Sequence, residues 1–497
     1  MNERPNILLI TSDQQRADHL GVKGMDAIPT PAFDRLATEG VHFDRAYTPS
    51  PICTPARVSL LTGQYPSRHG AWSIGVTADP FPRPTLADRL ATQGYTTALY
   101  GKTHFVRRED EPSHVTGQLD PAPELFHTFN GPYLGFEQIQ ACRGHTVNAV
   151  PDMHYRAFLE RAGVDYASWF PKLAEAYDHW HCGAWEIPAE YHDTEWVTGL
   201  TEAYIHTRAE SGTPWFCMAN YQDPHEPMRC PEPWFSRVDT QRLQLQEGAR
   251  PGEFDDKPAF YAHATRGDWG WVNDGVGVPS LFHNPAWDEQ AAAAMQATVG
   301  MVGFLDHGVG RLLKALEATG QADNTVIVYT SDHGEMHGHH GFWAKGLAPY
   351  DDSQRVPLLV WGAGIAAIGT TQALANLVDL PATILQLAGA EPALDMQGVD
   401  LTPLLRGAAD HVQQNTVIEC RATASICQQT FITADHKLIL YEHTEEGELY
   451  DLTTDPDQYT NLWNEPAMQS VRADLLQQFL QRRMTQECTQ APRVSFA

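Results

Sequence analysis

Asn6-Ile7-Leu8-Leu9-Ile10-Thr11-Ser12, followed at once by Asp13, is a short apolar run that ends on a polar residue able to do chemistry. Its apolarity is continuous, not alternating, which is the pattern of a strand covered on both faces by helices. Runs of the same kind recur at 96–100, 215–220, 325–331 and 357–361, with helical spacing between them. An α/β fold follows: a large, mostly parallel sheet sandwiched by helices. Four of the runs lead into candidate site residues: Asp13, then Lys102 and His104, then Asp223 and His225, then Asp332 and His333. Ligands of doubly wound sheets gather beyond the carboxyl ends of the strands, so these side chains are predicted to converge on one cleft.

Further out, Met295, Val299, Val302, Leu305, Val309, Leu312, Leu313 and Leu316 recur at spacings of three and four, predicting a long helix over 288–319 capped by Gly320. Asp306 and His307 within it read as structural. The stretches near 105–210 and 231–286 are rich in Pro, Trp, His and Gly with weak periodicity, and read as insertions close to the cleft. Beyond Leu405 the runs 430–433, 437–442 and 448–452 predict short antiparallel strands, and 465–483 a helix. The expected division is a catalytic α/β unit over 1–405 and a smaller C-terminal α+β subdomain over 406–497. The polar tail of the latter would brace a neighbouring subunit of a homo-oligomer.

The chain has 497 residues and a net charge of −28, which argues against nucleic acid or an anionic membrane surface as partner. An anionic substrate must therefore be captured by a local positive site. The N-terminal residues lack the pattern of a secretory signal, and no apolar stretch approaches the ~20 residues of a membrane helix. The eight cysteines, at 53, 142, 182, 217, 230, 420, 427 and 488, form no Cys-x-x-Cys pair and read as reduced thiols. A cytoplasmic location is the expectation.

Among the site candidates, Asp13, Asp332 and His333 offer two hard carboxylate oxygens and one imidazole, a reasonable set for one divalent cation. Oxygen-rich coordination suits Ca2+, and the His333 nitrogen admits Mn2+. The nearby His337, His339 and His340 read as a polar loop at the cleft rim, because structural zinc usually adds cysteines at fixed spacing.

The segment 50–63, Ser-Pro-Ile-Cys-Thr-Pro-Ala-Arg-Val-Ser-Leu-Leu-Thr-Gly, contains Cys53-x-Pro55-x-Arg57. Composition alone would give roughly 0.03 chance matches to those three positions. The segment resembles the signature of the sulfatases, in which a maturation enzyme, the formylglycine-generating enzyme, oxidises the cysteine to Cα-formylglycine. Gly101-Lys102-Thr103-His104 resembles the family's Gly-Lys-x-His motif, Pro224-His225-Glu226-Pro227 its histidine after the central strand, and Phe342-Trp343-Ala344-Lys345 its later lysine.

The resemblance covers most of the chain and implies an alkaline-phosphatase-like fold with a metal set of Asp13, Cys53, Asp332 and His333. It implies that hydrated formylglycine at position 53 attacks the sulfur of a small sulfate ester and forms a covalent sulfoenzyme. Lys345 and His225 would bind the sulfuryl oxygens, and one of them would protonate the leaving group. His104 would act as base for release of sulfate, with Arg57 and Lys102 offsetting charge at position 53. Fixed cations have that task because the transferred sulfuryl group spreads negative charge over its peripheral oxygens.

Gln14 departs from the second aspartate of many sulfatases, leaving open whether it ligates metal or meets substrate. The Asp-Gln and Asp-His pairs look more like choline-sulfatase and phosphonate monoester hydrolase relatives than lysosomal arylsulfatases. The expected activity is therefore sulfuric ester hydrolysis with promiscuity toward phosphonate monoesters or phosphodiesters. One alternative makes the phosphorus ester the main substrate, and another leaves a non-catalytic anion- or metal-binding protein if Cys53 stays a thiol.

Overall fold

The computed structural model describes residues 4–74, 76, 78, 81–106, 123–143, 151–170, 182–226, 228–266, 281–282, 290–421 and 426–487. Eight strands form the main sheet: β1 (Asn6–Ser12), β2 (Val41–Tyr47), β3 (Thr96–Lys102), β4 (Gln138–Cys142), β5 (Trp215–Asn220), β6 (Thr325–Ser331), β7 (Leu358–Gly362) and β8 (Gly369–Asn376). Their order is β8-β2-β7-β6-β1-β5-β3-β4. All neighbours are parallel except β7, which runs antiparallel to both β2 and β6. β1 sits between β5 and β6, with Ile7 opposite Phe216 on one side and Val326 on the other.

The continuous apolarity of β1 has the anticipated cause, since its successive side chains serve two cores. Ile7 and Leu9 pack with Val58, Leu60 and Leu61 of α2 (Cys53–Thr62), Leu86 and Leu90 of α3 (Leu86–Thr92), and Leu380 and Ile384 of α7 (Asp379–Leu387). Leu8 and Ile10 face the other way, toward Phe33 and Leu36 of α1 (Pro31–Glu39), Val197 of α5 (Asp193–Arg208), and Val302, Leu305, Val309 and Leu312 of α6 (Ala291–Ala318). α6 ends as its glycine suggests. Gly320 has φ +67°, its N–H donates to Glu317 O (3.1 Å), and Gln321 N–H donates to Leu316 O (2.8 Å), the paired bonds of a left-handed helix stop. Asp306 in α6 is structural as expected, accepting from Phe33 N–H at 2.8 Å.

Two expectations need correction. The described residues of the stretch 105–210 are not mainly an insertion: they supply the edge strand β4, the helix α4 (Met153–Ala162) behind it, and α5, which covers the sheet. Their periodicity is weak because β4 is half exposed at an edge and α5 is buried through threonines as well as apolar residues. His337, His339 and His340, expected as a polar loop at the cleft rim, are more buried than such a loop suggests, with exposures of 3%, 7% and 0%. His337 Nε2 lies 3.0 Å from Thr298 Oγ1, His339 pairs with Asp352, and His340 stacks on Tyr350 with ring centroids 3.8 Å apart.

The C-terminal unit is a four-stranded antiparallel meander of β9 (Asn415–Arg421), β10 (Cys427–Thr433), β11 (His436–Tyr441) and β12 (Gly447–Asp451), followed by α8 (Gln469–Gln486). Leu475 and Phe479 of α8 join Phe431, Leu438 and Leu449 in a cluster that also takes Tyr65 and Val378 from the main unit. The tail expected to brace a second subunit, residues 488–497, lies outside the described residues. Among the described residues no helix is long and apolar enough to cross a membrane, and all seven described cysteines are free.

Candidate active site

Cys53 opens α2, a helix whose ten residues are all buried. At a helix N-terminus the unpaired N–H groups favour negative charge, and proline is tolerated in the first turn. Arg57 lies four residues on, hence on the same helical face one turn deeper, which is the physical content of the Cys-x-Pro-x-Arg spacing. The motif therefore delivers position 53 and a buried guanidinium to the same spot.

The loops after β1 and β6 meet Cys53 there. Donor atoms of Asp13, Cys53, Asp332 and His333 lie within 4.8 Å of one another, and all four residues are fully buried. The oxygens of each carboxylate divide their tasks. Asp332 Oδ2 accepts from Arg57 Nε (2.8 Å), and Asp13 Oδ2 accepts from Arg57 Nη2 (3.2 Å) and from Lys102 Nζ. Asp13 Oδ1 faces His333 Nε2 at 3.8 Å and Cys53 Sγ at 4.0 Å, and Asp332 Oδ1 lies 3.7 Å from His333 Nε2. His333 Nδ1 donates to Gly334 O at 2.9 Å, so Nε2 carries the lone pair and points at Cys53 Sγ, 3.1 Å away. Hard oxygens and one imidazole lone pair thus converge on a common centre, a donor set that fits a divalent ion.

Burial and the neighbouring Asp13 push the Cys53 thiol up to about 12, so the group stands there as thiol, not thiolate. Burial, reinforced by Lys102 and Arg57, holds His104 well below its ordinary range, and burial with Lys345 and Lys102 does the same to His225; both are neutral imidazoles. His104 follows β3 with a left-handed φ of +56°. Two residues before it Lys102 ends the strand, and Gly101 lies where β3 and β5 approach: a Cβ there would come within 2.0 Å of Asn220 O.

Opposite the cations at Asp13 lies a second group. Lys345, 2% exposed, donates to His225 Nε2 (2.6 Å) and Gln14 Oε1, and its Nζ is 3.3 Å from Glu226 Oε1. Burial opposes its charge, but Glu226 and further anionic neighbours outweigh that and raise the ammonium above its usual value. His225 Nδ1 donates to Glu226 O at 2.7 Å, which fixes the tautomer that leaves Nε2 as acceptor.

Gln14 turns its amide nitrogen to both Glu226 and Glu335, and its backbone N–H donates to Asp332 Oδ1 at 3.1 Å. Its oxygen is thus engaged by Lys345. Glu335 also accepts from the backbone N–H groups of His337 (3.0 Å) and Ala344 (2.6 Å), tying down the loop that carries Lys345.

The structure brings together Asp13, Cys53, Arg57, Lys102, Asp332 and His333, and places His225 with Lys345 beside them through Gln14. Asp223 is turned away: its backbone oxygen accepts from Asp13 N–H (3.1 Å), but its carboxylate accepts from Thr194 Oγ1 (2.6 Å). Glu226 and Glu335 were not singled out from the sequence. Both lie inside recognisable motifs, but only the position of Gln14 reveals why two carboxylates sit beside a lysine.

The family model for sulfatases matches residues 5–390, and that for the N-sulphoglucosamine sulphohydrolase C-terminal region matches residues 338–485. Choline-sulfatase from Rhizobium meliloti is 30% identical, covering 93% of this chain and 83% of its own length, and an arylsulfatase from Clostridium perfringens is 27% identical over 96% and 94%. A phosphonate monoester hydrolase from Silicibacter pomeroyi superposes with a TM-score of 0.78 at 26% identity, covering 98% of this chain and 96% of that one. With those matches spanning the sheet, the Cys53 helix and the C-terminal meander, the chain belongs to the sulfatase family, hydrolases of sulfuric esters.

Proposed function

We propose that this chain hydrolyses small, monoanionic sulfate esters through the formylglycine form of residue 53, with one divalent ion, Ca2+ or Mn2+, held by Asp13, Asp332 and His333 and bordering position 53. The observation that carries the reading is the division of oxygens at Asp13 and Asp332, one of each pair held by Arg57 or Lys102 and the other within 4 Å of His333 Nε2 beside Cys53. A bound divalent ion would supply electrostatic stabilisation of a sulfuryl oxygen, and the oxidised residue a hydroxyl nucleophile that a thiol cannot replace. The maturation enzyme that performs the oxidation is the implied partner.

The protein's own residues divide the remaining work. Arg57 and Lys102 hold the two carboxylates in place and offset negative charge as it develops at position 53. Lys345 and His225 meet the peripheral oxygens. With the one proton of His225 committed to Glu226 O, the proton for the departing oxygen comes from Lys345. Neutral His104 is the base for the second half of the reaction.

Mass spectrometry of the peptide carrying residue 53, from protein made in its native host, tests the nucleophile. An aldehyde is expected; thiol alone, beside a control sulfatase that is converted, would contradict the reading. The likeness to a phosphonate monoester hydrolase at TM-score 0.78 favours a second substrate class, phosphonate monoesters or phosphodiesters. Comparing kcat/KM for an aryl sulfate and a phenyl phosphonate ester orders the two, and a phosphonate preference of several orders of magnitude would reverse our ranking.

A further inference from the structure

Glu226 is a carboxylate inside a site that must attract an anion. It is 8% exposed, its two oxygens lie 3.3 and 3.5 Å from Lys345 Nζ, and it takes the side-chain amide of Gln14. On the far side of that amide Glu335 repeats the contact. An aspartate or glutamate at position 14 would be a third carboxylate in one buried pocket, so the neutral amide is what the two glutamates permit. The consequence for a substrate is electrostatic: the lysine that meets the transferred group is already partly compensated.

We infer that Glu226, held by Gln14, is a specificity-determining residue that matches this site to monoanionic esters and turns away dianionic ones. A sulfate monoester carries one negative charge, whereas a phosphate monoester carries close to two above its second pKa of about 6. The extra charge is repelled by Glu226 across a buried, weakly screened gap, while the single charge is served by Lys345 and the other fixed cations. The inference rests on the proposed hydrolysis of monoanionic sulfate esters and adds the residue that enforces that charge state.

The test compares kcat/KM for p-nitrophenyl sulfate and p-nitrophenyl phosphate at pH 8 in wild type, Glu226→Gln and Glu226→Asp, all with residue 53 matured. Glu226→Gln keeps size and hydrogen-bonding reach but removes the charge, so the phosphate-to-sulfate ratio is expected to rise about tenfold or more. Glu226→Asp keeps the charge and should stay within about threefold of wild type. Calorimetric affinities of Cys53→Ala, with and without Glu226→Gln, for phenylphosphonate and benzenesulfonate give the same comparison without turnover. A ratio that moves less than about threefold in Glu226→Gln, or that moves equally in Glu226→Asp, overturns the inference. Mature wild type that hydrolyses neither ester would instead bring down the hydrolase reading, and this inference with it.

Discussion

Among the described residues three groups bring possible metal-binding atoms together, one of them His192, Asp193 and Asp223, and the other two differ in where their lone pairs go. In Asp13, Cys53, Asp332 and His333, one oxygen of each aspartate and Nε2 of the histidine face a common centre. In His339, His340 and Asp352 the same atom types are spent on protein partners. His339 Nδ1 pairs with Asp352 Oδ2 (2.7 Å), Arg16 Nη1 takes Asp352 Oδ1 (2.7 Å), and His340 is held between Glu253 and Asp457 O. Proximity of ligand types is common to both groups. Of these two, the first gathers an oxygen of each aspartate within 4 Å of His333 Nε2, with Arg57 and Lys102 behind the carboxylates to hold them there.

The comparison breaks most sharply at Asp332. Asp332→Asn removes a ligand charge and the partner of Arg57, and is expected to cost at least about a thousandfold in kcat/KM, measured on an aryl sulfate. Near-normal turnover would remove the metal reading. Next in size, Arg57→Ala takes the cation from buried Asp332 and leaves Asp13 to Lys102, and should lower stability by about 3–5 kcal/mol in denaturant unfolding, with Arg57→Lys unable to restore the two-carboxylate contact.

On the other side, His340→Ala takes away a stacked, doubly bonded ring. It should cost about 2–3 kcal/mol of stability, with activity at saturating metal within about tenfold of wild type. A loss of activity as deep as that of Asp332→Asn would make the second group functional after all.

These groups were unequally legible in the sequence. The runs leading to Asp13, Lys102, His225 and Asp332 were readable because β1, β3, β5 and β6 are central and buried on both faces, which leaves continuous apolar stretches. β4 and β8 lie at the two edges, where exposed positions interrupt the pattern, and β2 carries two half-buried charged residues; all three escaped the reading. The reversed direction of β7 leaves no mark on its composition. At the site, residue types named the ligands and cations, but acidic Glu226 and Glu335 looked like ordinary loop charges. The buried packing of His340 was hidden because its partners, Glu253, Tyr350 and Asp457, are distant in the chain.

The last prediction concerns histidines outside these groups. Burial holds His69 down to about 3 and His154 to about 4, against an ordinary value of 6.5. The unfolded chain takes up protons through 6.5 while the folded one does not, so their contribution is fully present above that pH and is lost as pH falls toward 4. Each adds up to about 1.4 kcal/mol of destabilisation per pH unit in that window. Tm measured from pH 7.5 to 5 should fall on the acid side, and His154→Gln should flatten the slope; an unchanged slope would place the titrating groups elsewhere.

Elemental analysis of the purified chain discriminates the two groups most directly. The account predicts one divalent ion per chain in wild type, in Cys53→Ala and in the His339→Ala/His340→Ala double variant, and loss of that ion in Asp13→Ala/Asp332→Ala. An ion that survives the aspartate substitutions, or departs with the two histidines, would contradict it.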